Sequence, residues 1–246
     1  MEVHHHAHTA RKRWTHYFWE FFMLFLAVFC GMFAEYKLEH IIEHQREKKY
    51  IRSLITDIEM DIISLKRSDE NRKKQIVYFD SLLYLLRYGM ENRMNDVYFY
   101  ARHITRYTGF QYHDRTIQQL KNSGNMRLIR NKNAADSITV YDNEKMKLSL
   151  SQLEGEREMR RFISLNIAGK IFNSFAWNEL TDSTTTIIRP ENSPPLLTKD
   201  SMLLHEFSFK IVTLKGTLTL TNRVNNGTVA AGQNLISLLK KEYELD

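Results

Sequence analysis

Cysteine, proline and glycine are all scarce in this 246-residue chain, and each shortage excludes something. The single cysteine, Cys30, can close no intramolecular disulfide and build no cysteine-based zinc site. Three prolines and nine glycines are too few for the turns of a sheet-rich fold, so the composition favours long helices with few breaks. Glycine-rich phosphate loops are missing, as are any internal repeat and any motif that orders a nucleophile. The net charge of +6 lacks a groove-reading motif, and its bases are mixed with acids, as in Glu43-His44-Gln45-Arg46-Glu47-Lys48-Lys49. Nucleic acid is therefore not an expected partner. With 43% hydrophobic and 26% charged residues, the chain has the composition of a globular protein rather than a disordered one.

One apolar stretch stands out. Phe21 to Ala34 carries no charge, and Trp14, Tyr17, Phe18 and Trp19 lengthen it to about 21 residues. At about 1.5 Å per residue this covers a hydrocarbon core of roughly 30 Å. Trp14, Tyr17 and Trp19 are the amphipathic aromatics expected at a membrane interface. A cleaved signal peptide is the competing reading, but Met32-Phe33-Ala34 lacks the small residue that processing needs two positions before Ala34. The expectation is an uncleaved, single-pass transmembrane helix at 14–34. Arg11, Lys12 and Arg13 beside it orient the short tail, 1–13, to the cytoplasm. The rest of the chain then lies outside, in the periplasm of a Gram-negative cell, anchored in the inner membrane.

Beyond the span, Leu38, Ile41, Ile42, Ile51, Leu54, Ile55, Ile58, Ile62 and Leu65 recur at three- and four-residue steps with no breaker. The span is expected to continue as a juxtamembrane helix over 35–70. A helical domain over 71–180 follows, with helices at 73–88, 91–107, 114–122 and from Asn131 or Asn133 to about Asn178. The segment 181–199 holds all three prolines and a Ser/Thr run, and reads as a linker. Residues 200–246 read as a long C-terminal helix, although Thr217-Leu218-Thr219-Leu220-Thr221 alternates as a strand would. The expected class is all-α: a transmembrane helix continuing into an elongated antiparallel bundle.

The run VHHHAHTARKRWTHYFWEFFMLFLAVFCGMFAE and the stretch QQLKNSGNMRLIRNKNAADSITVYDNE are similar to segments of an uncharacterised family of membrane-anchored helical proteins of Bacteroidetes-type bacteria. That resemblance implies a short cytoplasmic tail, one span and a helical outer domain. It implies no activity, cofactor or catalytic residue.

Four groups of residues invite a chemical reading. His4, His5, His6 and His8 offer imidazoles that suit zinc, nickel or copper; the alternative is a flexible polar tail. His40-Ile41-Ile42-Glu43-His44 matches an inverted zinc-protease motif, and a chance match in a helix rich in His and Glu is the simpler account. Glu20, inside the apolar stretch, either faces the axis of an oligomer or reaches the headgroups. Tyr78, Phe79, Tyr84, Tyr88, Tyr98, Phe99 and Tyr100 line a pocket or belong to the core. The reading that follows is a non-enzymatic, membrane-anchored helical interaction or sensor-like module that self-associates, its partners being the bilayer and a second copy or another membrane protein. The alternative is an oligomeric ion-conducting or transport-accessory assembly with Glu20 near its axis.

Overall fold

The computed structural model describes residues 14–245, and the histidines at 4, 5, 6 and 8 and Arg11, Lys12 and Arg13 lie outside them. The class is all-α, with eight α-helices among the described residues and only an isolated bridge between Thr181 and Ile187. Those residues form two compact units that divide between Lys49 and Tyr50.

Helix α1 spans Trp14–Tyr88. The break expected near residue 70 does not occur, because Ser68 to Lys74 contains no glycine or proline and its polar side chains find partners in the second unit. Gly89 ends the helix with φ +138, and its N–H donates to the Leu85 carbonyl.

In the first unit, the described part of α1 from Trp14 to Ile42 is exposed throughout. Phe21, Met23, Leu24 and Val28 are among the large apolar side chains left more than half exposed. This is the one helix among the described residues that is long and apolar enough to cross a membrane, and none of its apolar window is buried.

The second unit is built on three long runs of helix. The first is α1 from Tyr50 onward. The second begins with α4 (Lys132–Val140), capped by the Asn131 side chain, which accepts from Ala134 N–H. It passes through a π turn at Tyr141–Met146 into α5 (Lys147–Phe162), then a second π turn at Ile163–Ala168 into α6 (Gly169–Ile171). The third is α8 (Ser201–Tyr243), capped by Asp200. Ion pairs and hydrogen bonds fix their directions. Asp80 meets Lys215 and Asp69 meets Asn225, so α8 runs antiparallel to α1. Asp61 meets Tyr141 and Arg72 meets Glu156, so α4–α6 runs parallel to α1. Shorter helices α2 (Met94–Arg102), α3 (Arg115–Asn122) and α7 (Ser174–Glu179) fill the sides.

Two helices end differently from the sequence expectations, and the helix expected over 200–246 is present. The helix expected over 91–107 is shorter: α2 starts at Met94 and passes into a 3-10 turn at His103–Thr105. The helix expected to reach Asn178 stops at Ile171, where Phe172 turns extended and packs on Tyr98, Trp177 and Phe207. Asn173 then caps α7. The alternating threonines lie within helix α8, where Thr217, Thr219 and Thr221 each donate to the carbonyl four residues back.

Residues 181–199 form no regular helix, yet they are held at many points. Leu197 N–H donates to the Ile171 carbonyl, Arg102 to Thr181, and Arg189 pairs with Asp96 while lying over the Phe99 ring.

Candidate functional site

The core of the second unit is divided into two apolar clusters. One gathers Ile51 to Leu65 of α1 with Ile138, Tyr141, Leu235 and Leu239. The other gathers Phe79, Leu82 and Leu85 with Tyr98, Ile163, Ile167, Phe207 and Leu214. Between them lies a layer of buried charge.

Arg72 is wholly buried on α1, and Glu156 is wholly buried on α5. Arg72 Nε donates to Glu156 Oε2 at 2.7 Å, and Arg160 Nε to Glu156 Oε1 at 2.8 Å, so one carboxylate holds two guanidinium groups. Arg72 also donates to Asp69 at 3.2 Å. Asp69 accepts a further bond from Asn225 Nδ2 at 2.7 Å, which brings α8 into the layer. The two carboxylates and two guanidinium groups balance in charge, which burial requires. Burial pushes the Asp69 carboxyl up from its ordinary value, against the pull of Asn225 and Arg72. It pushes the Arg160 guanidinium down, and Glu156 works against that shift.

The same guanidinium groups support a piece of backbone. Residues 106–114 form no regular structure, and their peptide groups need partners. A stripe of polar side chains along one face of α1 supplies them. Gln75 donates to the Arg106 carbonyl at 2.8 Å, and Ser68 and Arg72 donate to the Thr108 carbonyl at 2.8 and 3.1 Å. Ser64 accepts from Gln111 N–H at 2.8 Å, Asp61 from His113 N–H at 2.7 Å, and Asp57 from Thr116 N–H at 3.1 Å. The positions 57, 61, 64, 68, 72 and 75 step by three or four, as one helix face demands. A strap of chain is thus hung along α1, and Arg160 fastens its upper end through the carbonyls of His103 and Ile104.

His103 sits where the strap begins. Its ring packs at a tilt against Tyr78, 4.3 Å between centres, and meets Phe99 edge-on at 5.1 Å. Burial, with Arg106, Arg160 and Arg102 nearby, pushes its imidazole down to about 4. The ring is therefore neutral at neutral pH. Of the other aromatics singled out in the sequence, Phe79 and Tyr98 are fully buried in the core, while Tyr84 and Tyr88 are exposed.

Among the described residues, the sequence-predicted site residues do not converge on one site. Trp14, Tyr17, Trp19 and Glu20 are all exposed on α1, and Glu20 borders a shallow hollow with His16, Trp19, Met23 and Leu24. His40 and His44 are exposed on the same helix, and His44 Nδ1 lies 3.4 Å from Glu47 rather than beside a third zinc ligand. Among the described residues no three His, Cys, Asp or Glu side chains converge as a metal site. The charged layer lies outside the sequence expectations, which rest on the apolar positions of α1 and not on the polar stripe beside them. Its signal was present in Asp57, Asp61, Ser64, Ser68, Arg72 and Gln75 at helical spacing. Set beside protein-family models, curated proteins and solved structures, the chain matches none.

Proposed function

We propose that the chain is a membrane-anchored helical interaction module of sensor-like layout, not an enzyme, and that it self-associates. Residues 14–34 cross the bilayer, with the tail on the cytoplasmic side and the helical unit on the periplasmic side of an inner membrane. The observation that carries this reading is the exposure of α1: every residue from Trp14 to Ile42 is open, including a run of phenylalanine, leucine and methionine. Covering one such side chain is worth about 1.5–3 kcal/mol, so leaving the whole run in water is prohibitive. A core helix of a soluble protein passes the same test of length and composition but is mostly buried, and this one is not. The layout is also what the leader's family resemblance implies.

Carbonate extraction of membranes, with intact mass of the retained chain, tests the anchor. The expected result is a pelleted chain that keeps residues 14–34. A chain that begins after Ala34, or that stays in the supernatant, overturns the reading. A second reading rests on Glu20, a carboxyl exposed among apolar neighbours one turn from His16: an oligomer that conducts ions past it. Cation flux in reconstituted vesicles that disappears in Glu20→Gln would favour it, and absence of flux would remove it.

A further inference from the structure

Helix α1 ends at Tyr88 and α8 begins at Ser201, and because the two run antiparallel these ends lie side by side. Phe79 and Leu82 of α1 share the core with Leu214 and Leu218 of α8, and all four are wholly buried. On the flank of that contact the packing loosens. Leu83, Leu86 and Leu204 pack on the same cluster but are only partly buried, and Val212 is 54% exposed. These four side chains line a hollow of about 570 Å³. That volume lies within the range of small-molecule sites, roughly 300–1,000 Å³, which are mostly apolar with a few placed polar groups.

The charged groups of its wall are of one sign. Arg87 and His205 line it, together with the Ser201 hydroxyl. Among the described residues no carboxylate does, whereas the hollows beside Glu20 and Asp136 each carry one. Asp200 and Glu206 are close in sequence but do not line it, and Asp200 accepts from the Met202 N–H of its own helix. The guanidinium of Arg87 lies 5.0 Å from the ring centre of its neighbour Tyr88, and among the described residues no carboxylate is bonded to Arg87 or to His205. Other bases of this region are paired, Lys215 with Asp80 and Arg189 with Asp96. A guanidinium offers a planar fork that fits a carboxylate, and an imidazole donates a hydrogen bond whether or not it is charged.

We propose that this hollow binds a single-chain amphiphile with an anionic head, a fatty-acid carboxylate being the simplest example. The chain lies on Leu83, Leu86, Leu204 and Val212, and the head meets Arg87 and His205. Charge and polarity select this class. An organic cation would meet the like charge of Arg87 with no carboxylate to offset it. A neutral chain would cover the apolar floor but leave the two bases without a counter-charge. A small inorganic anion would have no use for the apolar floor. The part of α8 that walls the hollow, from Ser201 to Val212, is about 17 Å long at about 1.5 Å per residue, which leaves room for a chain laid along the helix. The inference goes beyond the sensor-like layout put forward above, because it names a ligand. It holds whether or not residues 14–34 cross a membrane and whether or not the chain self-associates.

The test uses the full chain in nanodiscs of phosphatidylcholine, a lipid without net charge. In a Cys30→Ser background, Ser208→Cys places a thiol in the wall of the hollow, and Ser151→Cys places one on the exposed side of α5. The rate of reaction with a water-soluble maleimide is followed as decanoate, decanol, decyltrimethylammonium or acetate is added. Decanoate is expected to slow the thiol introduced at 208 and not the one at 151. Decanol should need about tenfold more for the same effect, the equivalent of roughly one charge-assisted contact. Acetate and the ammonium should have no effect. Arg87→Gln with His205→Gln should raise the decanoate requirement by about tenfold and leave that of decanol unchanged. Both side chains are exposed, and circular dichroism confirms that the double variant folds. Failure of decanoate to protect the thiol at 208 overturns the site. Equal protection by decanoate, decanol and the ammonium, or decanoate protection that survives the loss of both bases, overturns the anionic head. Slowing at 151 as well as at 208 assigns the effect to the nanodisc and overturns the proposal too.

Discussion

Glu156 is the side chain whose loss the fold should feel most. It is fully buried and accepts charge-assisted bonds from both Arg72 and Arg160. Glu156→Gln keeps the shape but turns an N–H₂ group towards one of the two guanidinium groups and removes the charge that balances both. Each charge-assisted bond contributes about 1.5–3 kcal/mol, and breaking a buried pair costs about 3–5 kcal/mol. The expected loss is about 4 kcal/mol. For a unit of this size that lowers the melting temperature by roughly 8–16 °C. Urea unfolding followed by circular dichroism gives the measurement. The sharper test is the triple change Arg72→Met, Glu156→Leu and Arg160→Met, made in an Asp69→Asn background so that no carboxylate is left buried without its guanidinium. In an ordinary buried ion cluster, well-packed apolar replacements restore or exceed the original stability. Here the guanidinium groups also serve the carbonyls of His103, Ile104 and Thr108. The triple variant should therefore stay about 2–4 kcal/mol below the wild type, since a buried acceptor left without a donor costs about 1–3 kcal/mol. Hydrogen exchange across residues 103–113 should rise with it. A triple variant as stable as the wild type, with that segment still protected, would refute the view that the charge is there to hold the strap.

Three further outcomes are expected. The depressed pKa of His103 means that the unfolded chain binds its proton first. Its contribution is complete above about 6.5 and is lost as pH falls towards about 4, an effect of roughly 1–2 kcal/mol after discounting for partial exposure. The raised carboxyl of Asp61 acts in the opposite sense, losing stability as pH rises through the range above 3.8, so His103→Gln should flatten only the first slope in a pH series of melting temperatures. Asp61→Ala removes the acceptor for His113 N–H and for the Tyr141 hydroxyl, and should cost about 2–4 kcal/mol with early proteolysis near residues 110–114; unchanged proteolysis would count against the strap. Gly155→Ala, on an exposed turn of α5 with open space at its Cβ, should stabilise by about 0.5–1 kcal/mol, whereas Gly232→Ala should gain nothing because Ile58, Tyr141 and Ile62 must move; equal gains at both positions would contradict the packing.

What the sequence made legible was whatever rests on one helix at a time. The apolar run from Phe21 to Ala34, a cap at Asn131 or Asn133 (it is Asn131), the stop at Gly89 and the helical reading of 200–246 all follow from local rules. What escaped rests on pairs far apart in the chain. Arg72 and Glu156 are 84 positions apart, and Asp69 and Asn225 are 156 apart. No local period announces such a pair. Their polarity at core positions of α1, α5 and α8 is the available sign, and it is the kind of sign that apolar periodicity discards. The premature end at Ile171 has the same origin, since Tyr98 reaches across to take Asn173 N–H, a contact no local propensity encodes.

The two π turns, at Tyr141–Met146 and Ile163–Ala168, give the second helical run a tolerance that its neighbours lack. Removing one residue from an α-helix rotates everything downstream by about 100° and turns a packed face away from its core. A π turn already holds one residue in excess of the α repeat, so a single deletion there relaxes the turn and leaves both flanks in phase. A one-residue deletion within 141–146 that spares Tyr141 and Asp142 would leave Glu156 aimed at Arg72, whereas the same deletion at Ser151 would carry it round to solvent. If related chains vary in length within this region, these two wide turns are where single residues should come and go.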